Sequence, residues 1–111
     1  MNTYEIWVDL APGARDLEMV DAVRRYLDHI QAAGNLAGYR IRRRKFGFGP
    51  DGLGEFNISI EFESLAQMDR AFGQAATRDA DIEPIHAAVY EKVRNFRSAL
   101  YRDFPDDVRV R

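Results

Sequence analysis

The chain has no cysteine among its 111 residues. Disulfide frameworks, zinc knuckles, thiol nucleophiles and iron–sulfur ligation are thereby excluded, and a reducing compartment is the expected setting. Lysine is almost as scarce: only Lys45 and Lys92 stand among the 16 cationic residues, the rest being arginine. Arginine is the better side chain for ordered carboxylate pairs, although a GC-rich genome produces the same bias. No apolar run approaches the ~18 residues of a membrane span. The opening Met1-Asn2-Thr3-Tyr4-Glu5-Ile6 also lacks a basic segment followed by an apolar one, so no secretory leader is expected. A cytoplasmic location, away from any membrane, is the expectation. Excess charge is missing too: the net charge is −2, which offers no attraction to nucleic acid or anionic lipid.

What is present is an ordinary globular composition, 46% hydrophobic and 12% aromatic, enough for one self-sufficient core without metal or disulfide. One domain over residues 1–111 is expected, since no linker or repeat divides the chain. Tyr4, Ile6, Val8 and Leu10 alternate with Glu5, Trp7 and Asp9, the period of a strand with one apolar face. Pro12-Gly13 breaks it. From Asp16, the expected N-cap, Leu17, Val20, Val23, Leu27 and Ile30 recur at helical spacing, and Gly34-Asn35 closes the helix.

Gly38 to Phe46 reads as a second strand and Glu55 to Phe62 as a third, joined by a glycine-rich turn over 47–54. Ser64 and Gln67 form a capping box that opens a helix through Leu65, Met68, Ala71, Phe72 and Ala75. Asp81 caps a further helical segment with Pro84 in its first turn. Beyond it, residues 94–104 fit both helical and strand periods. The order of elements favours a short helix followed by a strand.

Strand, helix, strand, strand, helix, strand is the ferredoxin-like βαββαβ order, an α+β sandwich with an antiparallel sheet. Right-handed crossovers place the helices on one face, against Ile6, Val8, Tyr39, Ile41 and Phe56 to Phe62. The other face then carries Glu5, Trp7, Asp9, Arg40, Arg42, Arg44, Asn57, Ser59 and Glu61. With Phe46 opposite Glu55, Arg44 meets Asn57, Arg42 meets Ser59 and Arg40 meets Glu61, whereas a one-residue slip sets arginine against phenylalanine. Arg43 and Lys45 fall on the apolar face, where their stems can cover Phe56 and Ile58.

This order, the polar sheet face and the segment Phe96-Arg-Ser-Ala-Leu-Tyr-Arg-Asp-Phe-Pro105 resemble the dimeric α/β-barrel superfamily. Its members include stress-responsive barrel proteins, antibiotic-biosynthesis monooxygenases and many uncharacterised bacterial proteins. The resemblance implies a homodimer in which two sheets close a barrel and the polar face lines its lumen.

A lumen pocket would have Trp7 as its flat wall, Arg42 or Arg44 as an anion clamp and Asn57 as an orienting amide. His86, beside Glu83 and one turn from Tyr90, is a further candidate ligand-binding residue. No catalytic residue is assigned. Metal spacings, a nucleophile elbow and a P-loop are all missing from the sequence. No cofactor is expected: the haem-degrading branch of the superfamily uses Asn, Trp and His, but carries Asn on the first strand and Trp on the third, the reverse of Trp7 and Asn57. Lys45-Phe-Gly-Phe-Gly49 resembles part of an RNA-recognition signature, yet it sits in a turn, and the third strand offers Glu55, Asn57, Ser59 and Glu61, which neither stack on bases nor attract phosphate. The expectation is therefore a small-molecule-binding protein or cofactor-independent, monooxygenase-like enzyme. The alternative is a non-catalytic dimer whose polar face is only an interface.

Overall fold

The computed structural model describes residues 1–76 and 83–105. Strand β1 (Asn2–Leu10), helix α1 (Asp16–Ala32), strands β2 (Gly38–Arg43) and β3 (Phe56–Phe62), helices α2 (Leu65–Ala76) and α3 (Glu83–Tyr90) and strand β4 (Val93–Arg102) follow one another. The four strands form one antiparallel sheet in the order β2-β3-β1-β4, the ferredoxin-like arrangement expected from the sequence. Residues 94–102, open to two readings, are strand. The Asp81 cap lies outside the described residues.

The core is the layer between the sheet and its helices. Val8, Phe56, Ile58, Ile60 and Phe62 of the sheet pack on Met19, Val23, Leu27 and Ile30 of α1 and Ala71 of α2, with Val89 of α3 against them. Alternation alone produced this on β3, where every second residue is buried. On α1 the stripe is rotated from expectation. Met19 is fully enclosed, whereas Leu17 is 74% exposed, because two residues turn a helix by roughly 200°.

Asp16 is the first helical residue and not the cap. Extended Arg15 holds the cap position with no side-chain hydrogen bond. The Asp16 carboxylate instead accepts the Leu17 N–H at 2.7 Å and pairs with Arg43 at 3.1 Å. At the other end the expected stop holds. Gly34, at φ +79°, donates to the Gln31 carbonyl while Asn35 donates to that of Ile30, the crossed pair of a left-handed helix terminus. The Ser64 cap of the expected box forms, Ser64 Oγ accepting the Gln67 N–H at 3.1 Å, while Gln67 Oε1 accepts the N–H of Glu63, one residue before the cap, at 2.8 Å. Gln67 Nε2 then donates to the Gly34 carbonyl at 3.1 Å, tying the start of α2 to the end of α1.

The β2–β3 register is a correction. Arg42 opposes Asn57, Arg40 opposes Ser59 and Gly38 opposes Glu61, two residues away from the expected pairing. A two-residue offset leaves every side chain on its expected face, so hydrophobic pattern cannot detect it. The connecting segment decides it. β2 ends at Arg43, a turn closes at Lys45–Phe48 with Phe46 and Gly47 both at positive φ, and a second closes at Pro50–Leu53. Gly54 then passes so close to β1 that a Cβ there would lie 2.6–2.7 Å from backbone atoms of Val8. Phe46 and Phe48 stand on the turn, 85% and 80% exposed. Arg43 does cover Phe56, its guanidinium 5.0 Å from the ring centre, while Lys45 lies over Phe46 instead.

Candidate functional site

The structure separates the candidate residues onto two sides of the sheet. Trp7, Arg42 and Asn57 share the polar side, because directly opposed residues of an antiparallel pair share a face and Asn57 opposes both Trp7 and Arg42. At its centre is Glu5, only 9% exposed. Its carboxylate accepts from Asn57 Nδ2 at 3.3 Å, from Arg42 Nη2 at 3.5 Å and, by a short contact, from Ser59 Oγ. Arg42 also grips Asn57 Oδ1 through Nε at 3.0 Å and Nη2 at 2.6 Å, and Asn57 donates to the Ile6 carbonyl at 3.1 Å. A carboxylate held away from water requires such partners. The fork of Arg42 is thus engaged within the chain. Arg44 turns away to the connection, donating to the Leu53 carbonyl at 2.7 Å.

Asp9, at the end of the same face, fixes the start of β4. Its Oδ1 accepts the Glu55 N–H at 2.9 Å and its Oδ2 the Asn95 amide at 3.0 Å. Asn95 adopts φ +58° at a register shift between β1 and β4, the geometry of a bulge. The Asn95 hydrogen bond, then that from Glu55, hold the Asp9 carboxyl below the ordinary carboxylate value, with Arg94 and Arg44 adding to the effect against burial.

His86 lies on the opposite side, at a cavity of about 350 Å³ between the helices and the sheet. Its walls are Ile6, Val8 and Ile58 of the sheet with Val23, Leu27 and Val89 of the helices, and Tyr26, Phe72, Tyr90 and Phe96 border it. The His86 ring stacks on Tyr26 at 5.0 Å between centres, 14° from parallel, and meets Tyr90 at 4.5 Å. No described side chain or backbone group hydrogen-bonds to the imidazole. Burial pushes its pKa below the usual histidine value and pushes the Tyr26 phenol up to about 12, Tyr90 adding a little to the latter. At neutral pH the pair is an uncharged imidazole, able to accept a proton, and a phenol able to donate a hydrogen bond.

Sequence reasoning placed His86 one turn from Tyr90 but missed Tyr26, Phe72 and Phe96. The signal for Tyr26 was its position beside Leu27, at the edge of the α1 apolar stripe. Among the described residues, no group of three or more His, Asp or Glu is placed to hold a metal ion, and no helix is long and apolar enough to cross a membrane.

Solved structures with the same fold include At3g17210 of Arabidopsis thaliana, at a TM-score of 0.74 and 6% identity over 96% of this chain and 99% of that one. SnoaB of Streptomyces nogalater, a cofactor-independent oxygenase, superposes at 0.67 with 10% identity over 95% and 97% of the two chains. A dimeric ferredoxin-like protein of unknown function from Thermobifida fusca matches at 0.59 with 12% identity over 90% and 88%. The resemblance to dimeric α/β-barrel proteins is borne out in the fold. No curated protein matches the sequence. Residues 1–111 match the family of unknown function DUF6614 throughout, and the chain belongs to that family.

Proposed function

We propose that this protein is a homodimer that seats a compact, mainly apolar organic molecule between its helices and its sheet. We read its chemistry as cofactor-independent and monooxygenase-like, with His86 as proton acceptor. The observation that carries this reading is the apolar cavity with a half-buried imidazole at its border, packed on Tyr26 and Tyr90 and without a hydrogen-bond partner among the described residues. Apolar walls with a few convergent polar groups are what a small-molecule site requires. A base kept neutral by burial can remove a proton from an acidic hydroxyl or methylene held against it. SnoaB, a cofactor-independent oxygenase, shares the fold, which supports the class of chemistry but identifies no substrate.

The polar face is the surface through which two copies would meet. All three helices pack on the other side, and a dimeric ferredoxin-like protein is among the structures of this fold. Two such faces across a two-fold axis would close a barrel, with Trp7, Arg42 and Asn57 toward the lumen and Arg44 held on the β2–β3 connection. The Glu5–Arg42–Asn57–Ser59 network favours a second reading for this face, an interface without a ligand, because Arg42 is already engaged.

Light scattering should return twice the mass of one chain, and the monomer mass at micromolar concentration would refute the dimer. A thermal-shift screen of small aromatic acids, quinones and haem tests the ligand. Stabilisation lost in His86→Ala and Tyr26→Phe but kept in Trp7→Ala places the ligand between the layers. Loss in Trp7→Ala or Arg42→Ala instead moves it to the lumen. No shift from any compound leaves the non-catalytic dimer.

A further inference from the structure

Among the described residues, no carboxylate, guanidinium or ammonium lines the interlayer cavity. Its polar side chains are His86 and the tyrosines Tyr4, Tyr26 and Tyr90, brought together from β1, α1 and α3. An ionised ligand entering there would lose its hydration and gain no counter-charge, and a titratable group so placed takes its neutral form instead. His86 also sets what the ligand must offer. Its ring packs on Tyr26 and Tyr90, at 5.0 and 4.5 Å between ring centres, and a neutral imidazole presents one bare nitrogen as an acceptor. A hydroxyl can donate to that nitrogen. A carboxylate or a quinone oxygen, which can only accept, cannot.

The border of the cavity is aromatic. Phe72 of α2, Tyr90 of α3 and Phe96 of β4 are 45%, 65% and 56% exposed there, and Tyr4 meets Phe72 edge to face at 5.2 Å. Ring faces and edges from three elements favour a flat aromatic frame over a saturated one of the same size. We infer that the ligand is an uncharged hydroxyarene, its rings among these side chains and its hydroxyl, still protonated, donating to His86. This rests on the interlayer cavity being the ligand site and adds the class of the ligand. It also fits the base proposed above, since a ligand that arrived ionised would bring no proton. The proton passes from the ligand oxygen to the imidazole nitrogen, leaving an aryl oxide beside an imidazolium, so the occupied cavity stays neutral overall. A quinone of the same frame fits the cavity but should bind more weakly than the hydroxyarene.

The test uses three probes on one frame, 2-naphthol, 2-methoxynaphthalene and 2-naphthoate, titrated calorimetrically into the full chain at neutral pH. Naphthol should bind about tenfold more tightly than the ether, the ratio expected of one hydrogen bond. Naphthoate should bind at least about a hundredfold more weakly than naphthol. His86→Phe keeps a ring against Tyr26 and removes the acceptor. In it naphthol and ether should bind alike, and their binding shows that the variant folds. On the wild type, raising the pH through the ionisation of naphthol should weaken naphthol and not the ether, because Tyr26, pushed up to about 12, and His86 are both neutral there. Naphthoate binding as tightly as naphthol overturns the uncharged class. Naphthol binding no tighter than its ether, or a preference that survives His86→Phe, overturns the hydroxyl contact, and in each case the cavity reading stands. Binding of no probe at millimolar concentration overturns the inference together with the cavity reading.

Discussion

The two faces of this sheet are made by the same strands, yet they are held by different physics. The helix-covered face is a continuous apolar layer in which Val8, Met19, Phe56, Ile58 and Phe62 are all but sealed from solvent. Its stability comes from buried area and close packing, and the cost of a change follows the volume removed. The other face buries a carboxylate without a helix over it, by surrounding Glu5 with an amide, a hydroxyl and a guanidinium. There the cost of a change follows the polar groups left without partners. The first face can lose atoms and leave a void, whereas the second can lose one carboxylate and take an acceptor from three donors.

Substitutions on the two faces should differ in cost. Phe56→Ala, which empties the apolar layer beneath Arg43, should cost about 3–5 kcal/mol in denaturant unfolding. Gly54→Ala should cost about 1–3 kcal/mol, because the new methyl meets the Val8 backbone, which cannot swing aside as a side chain can. Glu5→Ala should cost about 1–3 kcal/mol. If Glu5→Ala matched Phe56→Ala, the polar face would be as much a core as the apolar one, and the contrast would collapse. Light scattering on the same variant asks whether the loss also weakens the dimer.

Asp9→Asn gives a smaller, pH-dependent effect. The folded carboxyl titrates below its unfolded value, so its contribution is complete above the unfolded value and disappears as pH falls through the folded one. Wild type should therefore exceed Asp9→Asn in urea midpoint at neutral pH, and the gap should close as pH falls below the ordinary carboxylate range. A gap independent of pH would mean that the Asn95 and Glu55 hydrogen bonds do not depend on charge. The smallest change is expected from Asp16→Ala, which breaks an exposed pair with Arg43 and should cost about 0.2–1 kcal/mol, less at high salt.

Much of this was legible before the structure. β3 could be read residue by residue, because alternation of period two has a single buried solution once one face is apolar. The Ser64–Gln67 and Gly34–Asn35 helix boundaries were legible because capping is local chemistry. Register was not, since the β2–β3 offset of two residues preserves the pattern and is settled by two consecutive turns between Lys45 and Leu53. The α1 stripe was shifted because Leu17 and Met19 are equally apolar in sequence, and only packing selects Met19. The candidate site was legible in part. Trp7, Arg42 and Asn57 do share a face, but His86 belongs to a cavity on the other side, beside residues from α1, α2 and β4.

Alternation and turns follow from residues a few positions apart, and the exclusion of cysteine chemistry follows from composition. The burial of Glu5 among Arg42, Asn57 and Ser59 and the stacking of His86 on Tyr26 come from the packed fold. Those pairings join residues 37 to 60 positions apart, 54 between Glu5 and Ser59, and depend on strand order, register and helix rotation. These follow from how the whole chain closes around one apolar layer.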